Sequence, residues 1–460
     1  MKRFASQKLD QWLKKSNRKP LIIRGARQVG KTWLVRDFAK RLNKKLVELN
    51  FEKNPNHVDL FFNNNIKNIM SNIDAEFDIQ INPKNSILFL DEIQAAPELL
   101  SKLRWFKEEF PELPVIAAGS LLEFTLNTFQ YSMPVGRVTY LHLEQMSFLE
   151  FILAQGKDAL YERLCSPDIW KKDQLPVSLH EKTLALYQEY CLLGGMPEVI
   201  KSWIDHKQIA ECIQIQQDLL STYRDDFHKY GGKIDPRLLS KIMLSVSRQL
   251  GNKFVYSHVD STFKIEPIKK ALHLLSLAKV CTKVMHTSGN GIPLGAESNE
   301  KFFKTILLDI GLISVQLGLS SLKPSDLKDL ILINKGGLAE QFVGQQIRMA
   351  QSFTSEPQLY YWQKTKGGQA ELDYVIQYGN TIVPIEIKSG KSGSMKSLHH
   401  FMNEKKLELA IRFNANYAET IDMNVKTTQG KPVNYVLLSL PIYFAERIYD
   451  ILNEYTMSSQ

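Results

Sequence analysis

The stretch PLIIRGARQVGKTW, residues 20–33, constrains the fold more than any other part of the sequence. Leu21, Ile22 and Ile23 lead through Arg24 into Gly25, and Gly30, Lys31 and Thr32 complete a G-x-x-x-x-G-K-T pattern. A loop of this form leaves a buried strand and opens a helix. Its backbone N–H groups then turn towards phosphate oxygens, and the helix N-terminus adds partial positive charge. Gly25, Ala26, Arg27, Gln28, Val29 and Gly30 form the expected cradle, with Trp33 in the first helical turn behind it. Lys31 is expected to reach the β- and γ-phosphates, and the Thr32 hydroxyl to bind Mg²⁺. A loop like this is held by a parallel sheet covered by helices, so the N-terminal region reads as α/β.

Five short apolar runs support that reading: PLIIRG (20–25), KLVELNF (45–51), SILFLDE (86–92), PVIAAGS (114–120) and VTYLHL (138–143). They are nearly continuous in Val, Ile and Leu, as strands buried on both faces should be. The third ends in Asp91 and Glu92. Asp91 is expected to hold Mg²⁺ through water and Glu92 to polarise the attacking water. The two signals are expected on adjacent strand ends, and together they imply that the chain binds ATP. A Glu directly after the Asp points to the AAA+ branch of these NTPases. That branch expects a polar sensor at the end of the next strand, for which Ser120 in VIAAGS is the candidate; a plain strand-end serine is the alternative. It also uses an arginine before the fifth strand, here Arg137 in PVGRVTY, donated to the ATP of a neighbouring subunit. An arginine in that role neutralises transition-state charge and requires an oligomer; a plain surface arginine is the alternative.

A chain of 460 residues suggests roughly three domains of about 150 residues. The net charge of +9 is unevenly spread. Residues 1–50 hold 15 Lys or Arg against 3 acids, and residues 224–304 hold 14 against 7. Two basic patches suggest phosphate contact, with solvated basic faces as the alternative. Cys165, Cys191, Cys212 and Cys281 form no C-x-x-C pair, which fits a reducing cytoplasm and argues against a disulfide framework or a zinc site. MKRFASQKLDQWLKK has no apolar core of a signal peptide, and no apolar run is long enough to span a membrane.

The chain divides into an ATPase domain over 1–150, a helical lid or linker over 151–230, a winged-helix-like domain over 231–330 and an α/β domain over 331–460. In the third region two helices, around LLSKIMLSVSRQL and IEPIKKALHLLSLAKV, precede a turn rich in glycine, SGNGIPLG, expected to shape a β-wing. Lys264, Lys269 and Lys270 stand near the start of the second helix, where a recognition helix would meet DNA. Packing against a protein partner is the competing reading.

In the last region, ELDYVIQYGNTIVPIEIKSG (371–390) reads as a hairpin closed by Gly379-Asn380. A two-residue type II′ turn there places Asp373 opposite Glu386 and Glu371 opposite Lys388. Residues two apart share a face, so the four charges line one patch. Adjacent carboxylates repel unless they share a cation or a proton. Asp373, Glu386 and the Ile387 carbonyl are the expected ligands of Mg²⁺ or Mn²⁺, with Lys388 orienting or deprotonating a water. This D-x₁₂-E-x-K arrangement resembles the PD-(D/E)XK nuclease core. The resemblance implies a further acid on the preceding helix, which Glu340 in GGLAEQFV supplies, and metal-assisted phosphodiester hydrolysis. Two alternatives stay open: a nuclease-like fold that only binds DNA or a partner, and plain cross-strand ion pairs.

Over nearly its full length the chain resembles the bacterial and archaeal AAA+ ATPases that join an N-terminal ATPase to a C-terminal domain of unknown function. The matching stretches are RGARQVGKT, LFLDEIQ, GSLLEF, PVGRV with MSFLEF, YCLLGGMPEV, KTILLDIGL, YYWQ, ELDYVI and PIEIKSG. Trp33 departs from the family, which often has a small residue or Thr there. The reading that follows is an ATP-dependent protein acting on DNA. Its alternative is an ATP-driven regulatory switch whose nuclease-like domain is inactive and binds a protein partner.

Overall fold

The computed structural model describes residues 1–120, 122, 136–230, 235–319, 336–364, 370–388 and 395–458. Most of GSLLEF after Ser120, the first residues of PVGRV, the GGKI before Asp235 and the Ser-Gly that ends PIEIKSG lie outside them. The chain forms two compact units. The first comprises Met1–Gln145 with residues 277–280 and 352–356, and the second comprises the rest.

In the first unit the apolar runs become β1 (Leu21–Arg24), β2 (Lys45–Asn50), β3 (Ser86–Asp91), β4 (Val115–Gly119) and β5 (Thr139–His142). All pair in parallel, in the order β2-β3-β4-β1-β5. Every residue of β3 and β4 is buried, which explains why these runs carry no polar alternation. The helix Lys31–Arg41 buries Leu34, Val35, Phe38 and Ala39, a helical-period stripe laid on the sheet. Each large apolar side chain fully buried in this way stabilises the unit by roughly 1.5–3 kcal/mol.

One expectation is corrected here. The ends of β1 and β3 are not adjacent, because β4 lies between them and pairs with Leu21–Arg24 on one side and Leu88–Leu90 on the other. A crossover helix can carry the chain past a neighbouring position, so strand order along the sequence does not give order in the sheet.

The second unit opens with helices over Phe148–Ala154, Asp158–Cys165, Val177–Leu193, Pro197–His206 and Ile209–Tyr230. It then builds eight strands: β6 (Cys281–Thr287), β7 (Ser298–Leu307), β8 (Leu359–Gln363), β9 (Glu371–Tyr378), β10 (Thr381–Ile387), β11 (Leu409–Asn414), β12 (Glu419–Lys426) and β13 (Pro432–Pro441). Their order is β12-β13-β11-β10-β9-β8-β6-β7. The helices Pro236–Arg248 and Ile265–Leu277 form where expected. The hairpin expected as a wing differs from that expectation. β6 pairs antiparallel with β7 and also parallel with β8, through Val284 opposite Leu359 to His286 opposite Tyr361. The hairpin is thus the edge of the same sheet that holds the acidic hairpin. The second edge of β6 needs hydrogen-bonding partners of its own, and β8 supplies them.

The GGMPEV and LLDIGL stretches meet at a buried carboxylate. Asp309 caps the helix Ile310–Gln316, accepting from the Gly311 and Leu312 N–H groups, and also accepts from the Gly195 N–H at 2.6 Å. Gln345 Nε2, from the helix Gly337–Ala350, donates to the same carboxylate at 3.4 Å. Gly194 is required because a Cβ there would lie 1.8 Å from Asp309 Oδ1, and its φ is +73°.

Candidate functional site

The loop between β1 and the helix Lys31–Arg41 is held from several directions. Gly25 passes so close to the chain after β5 that a Cβ would lie 2.2 Å from the Leu143 carbonyl oxygen. Gly30, at φ +94°, turns the loop into the helix. Arg3, buried, donates to the Val29 carbonyl at 2.8 Å and to the Glu144 carbonyl at 2.7 Å. Lys31 is itself buried, and its Nζ donates to the carbonyls of Ala26 at 2.8 Å and Gly25 at 3.2 Å. Gln28 takes a positive φ of +67°, and Arg27 reaches towards Glu52 at 4.0 Å. The Trp33 side chain is exposed. We expect Gly25→Ala to fold but to lose nucleotide binding, since the clash is with backbone that cannot swing away. Titration with a fluorescent ATP analogue, beside a thermal melt, checks this.

Across the strand ends, Thr32 Oγ1 donates to Asp91 Oδ2 at 3.0 Å, and Asn50 Nδ2 donates to the same oxygen at 3.2 Å. Burial, reinforced by the neighbouring Glu92, pushes the Asp91 carboxyl up to about 6. Glu92 adopts φ +50°, and Gln94 Nε2 donates to its Oε2 at 2.6 Å. Ser120 stands at the end of β4, between the loop and the acids, with a buried hydroxyl that has no partner among the described residues. These residues fit ATP with Mg²⁺. The loop glycine leaves no room for a Cβ, the two expected Mg²⁺-holding groups already meet, and Ser120 offers a buried hydroxyl. Arg137 is placed elsewhere: its Nε donates to Glu108 Oε1 of the same chain at 2.7 Å, and both side chains are solvent-accessible. Arg3, Asn50 and Gln94 had not been singled out in the sequence. Arg3 is one basic residue among many, Asn50 shows its role only through the pairing of β2 with β3, and Gln94 through its bond to Glu92.

On the sheet of the second unit, the hairpin has the expected register, Thr381 opposite Tyr378 through Ile385 opposite Tyr374. Gly379 takes φ +54°, as the first position of a type II′ turn does. Asp373 Oδ2 accepts the Ile387 N–H at 2.6 Å. Lys388 Nζ lies 2.5 Å from Glu386 Oε1, and Glu386 Oε2 is buried without a partner among the described residues. Glu371 and Glu340 do not turn to Lys388 or to Glu386. They turn to Lys304 of β7, a residue that pattern reading overlooked. Its Nζ is 2.5 Å from Glu371 Oε1, 3.1 Å from Glu340 Oε2 and 3.9 Å from Asp373 Oδ1. Burial by itself would lower the Lys304 ammonium, but Glu340, Asp373 and Glu371 outweigh it and hold the group well above its ordinary value. Burial, with Asp373 next, pushes Glu340 up to about 8 and Glu386 up to about 7. Lys304 lies inside a run of buried residues, Phe303, Thr305, Ile306 and Leu307. A lysine in such company was the available signal.

In the helix Ile265–Leu277, Lys269 and Lys270 are exposed, as is Lys264 just before it. Lys269 Nζ lies 3.6 Å from Glu266 Oε2. Among the described residues no helix is long and apolar enough to cross a membrane.

Comparison with known proteins adds three family matches. A family model for an AAA domain matches residues 17–152, and two domains of unknown function match residues 184–323 and 335–439. No curated protein matches the chain. Among solved structures, the Aeropyrum pernix ORC2 protein in its ADPNP-ADP complexes is similar at 12% identity, covering 70% of this chain and 94% of that one, with a TM-score of 0.33. The Aeropyrum pernix ORC1 protein in complex with DNA is similar at 12% identity, covering 68% of this chain and 90% of that one, with a TM-score of 0.22. Scores this low carry no argument. The sheet, the loop and the matching AAA model make the N-terminal part of the chain an AAA+ ATPase domain that binds ATP.

Proposed function

We propose that this chain hydrolyses ATP and uses it to act on DNA, gripping it through the second unit. The observation that carries the ATPase part is the convergence of Lys31, Thr32, Asp91, Glu92 and Ser120 at the ends of three strands. In this reading Lys31 and the loop N–H groups bind the phosphates, and Glu92, oriented by Gln94, polarises the attacking water. Ser120 faces the γ-phosphate. Bound Mg²⁺, held by Thr32 and Asp91, supplies charge neutralisation on the phosphates. Arg137 serves a neighbouring subunit only in a homo-oligomer, and only after leaving Glu108. Four free cysteines support a reducing, cytoplasmic setting.

The DNA part is supported by Lys264, Lys269 and Lys270, exposed together at the start of one helix within a basic segment. If they neutralise phosphates, binding should weaken as salt rises, with a slope set by the number of contacts. Replacing all three with Gln should flatten that log–log slope by roughly 3. Fluorescence anisotropy with a labelled duplex at several salt concentrations measures it. Binding that is absent even at low salt would favour the second reading, an ATP-driven switch whose second unit binds a protein partner. That reading draws on the Lys304 cluster, in which acids expected to hold a metal are engaged with a lysine.

A further inference from the structure

The acids of the second unit resemble a divalent cation site in sequence but are filled differently in the fold. Ions of the Mg²⁺ and Ca²⁺ class take about six or more oxygen ligands. Here Glu340 and Glu371 lie against Lys304 Nζ at 3.1 and 2.5 Å, with Asp373 Oδ1 at 3.9 Å. The other Asp373 oxygen accepts the Ile387 N–H at 2.6 Å, and Glu386 Oε1 lies against Lys388 at 2.5 Å. The buried Glu386 Oε2 has no partner among the described residues, but one such oxygen does not make a coordination shell. Among the described residues no group of three or more His, Cys, Asp or Glu is arranged to hold a metal.

Lys304 is built into this position. Its side chain is 4% exposed, and Nζ lies 5.4 Å from the centroid of the Tyr361 ring, whose face favours a cation. Its three acidic neighbours come from two other elements, the helix Gly337–Ala350 and β9. A buried ammonium is tolerated only with such compensation, and the acids equally require a cation. The hairpin expected to be a wing thus delivers a tethered cation to the acidic hairpin.

We propose that Lys304 is the resident cation of this acid cluster, compensating Glu340, Glu371 and Asp373 in place of a divalent ion. The acid cluster then holds no divalent cation, and the second unit engages its partner without a metal at this cluster and without cutting phosphodiester bonds there. This inference rests on the nuclease-like reading of the sheet and is independent of ATP turnover and of the lysines on the helix Ile265–Leu277.

Mn²⁺ binding to the full chain without nucleotide, followed by electron paramagnetic resonance, tests it. Wild type and Asp373→Asn/Glu386→Gln should bind Mn²⁺ alike. Lys304→Gln should gain one Mn²⁺ site, lost again when Asp373→Asn is added, and Mn²⁺ should raise its melting temperature more than that of wild type. A wild-type site that Asp373→Asn/Glu386→Gln removes would overturn the proposal. So would a folded Lys304→Gln that gains no site. If Lys304→Gln does not fold, the comparison of wild type with Asp373→Asn/Glu386→Gln decides alone.

Discussion

Lys31→Ala should abolish ATP hydrolysis and leave the melting curve of the chain close to that of wild type. In this structure the Lys31 ammonium rests on the carbonyls of Gly25 and Ala26, within the loop it serves. Those carbonyls belong to a loop also fastened by the Arg3 bond to Val29, so the loop does not depend on Lys31 alone for its shape. The proposed function requires the ammonium to turn from these carbonyls to the phosphates of a bound nucleotide. Removing it takes away a positive charge from the oxygens where charge develops during transfer. Loss of a single aligned donor at such a position costs about 10²–10³ in turnover, and a charged one at the phosphates should match or exceed that. Steady-state phosphate release, beside circular dichroism melts, measures both halves of the expectation. Unchanged turnover would remove the P-loop assignment. Lost turnover with a collapsed melt would show that Lys31 holds the loop together, and Lys31→Met, which keeps the packing stem, would then separate the two roles.

The parts of this architecture that could be read from the sequence are those set by local chemistry. The five strands of the first unit are apolar runs of strand length, and Gly25, Gly30, Lys31 and Thr32 have the spacing of a phosphate loop directly after the first of them. The acidic hairpin was legible for a similar reason: a Gly-Asn turn fixes which residues face each other, and Tyr378 does lie opposite Thr381. Relations across distance were not legible. Nothing local indicates that β4 enters between β1 and β3, bringing Ser120 between the loop and the acids. Nothing local shows that β6 pairs with β8 rather than closing a separate wing, or that this brings Lys304 beside Glu340, Glu371 and Asp373. Strand β12 went unread because its side chains are mostly exposed or only partly buried, in the sequence ETIDMNVK. Such an edge strand lacks the dense apolar signal that marks the five runs of the first unit.

Asp309→Ala should destabilise the second unit by roughly 4 kcal/mol, the largest single effect expected outside the nucleotide site. The Asp309 carboxylate is fully buried and receives the N–H groups of Gly195, Gly311 and Leu312 and the side-chain amide of Gln345. Each buried donor left without an acceptor costs about 1–3 kcal/mol, less what relaxation or an entering water restores. One of these losses is also a helix cap, worth about 1 kcal/mol by itself. A fall on the order of 10 °C in the melting transition of this unit should follow, and a shift near zero would show that the glycine turn holds without the carboxylate. The pH dependence gives a second check with a definite sign. Burial pushes the Asp309 carboxyl up to about 6 in the fold, above its value of about 3.9 in an unfolded chain. A raised folded pKa means that this group's contribution is fully present below about 4 and declines as pH rises through about 6. Asp309→Asn cannot ionise and has no such decline. The stability gap between wild type and Asp309→Asn should therefore be wider at acidic pH and narrow towards neutrality, by up to about 3 kcal/mol. Chemical denaturation at a series of pH values measures that gap, and a gap that widens with rising pH would mean that the carboxylate, rather than the acid, is the form the four donors favour.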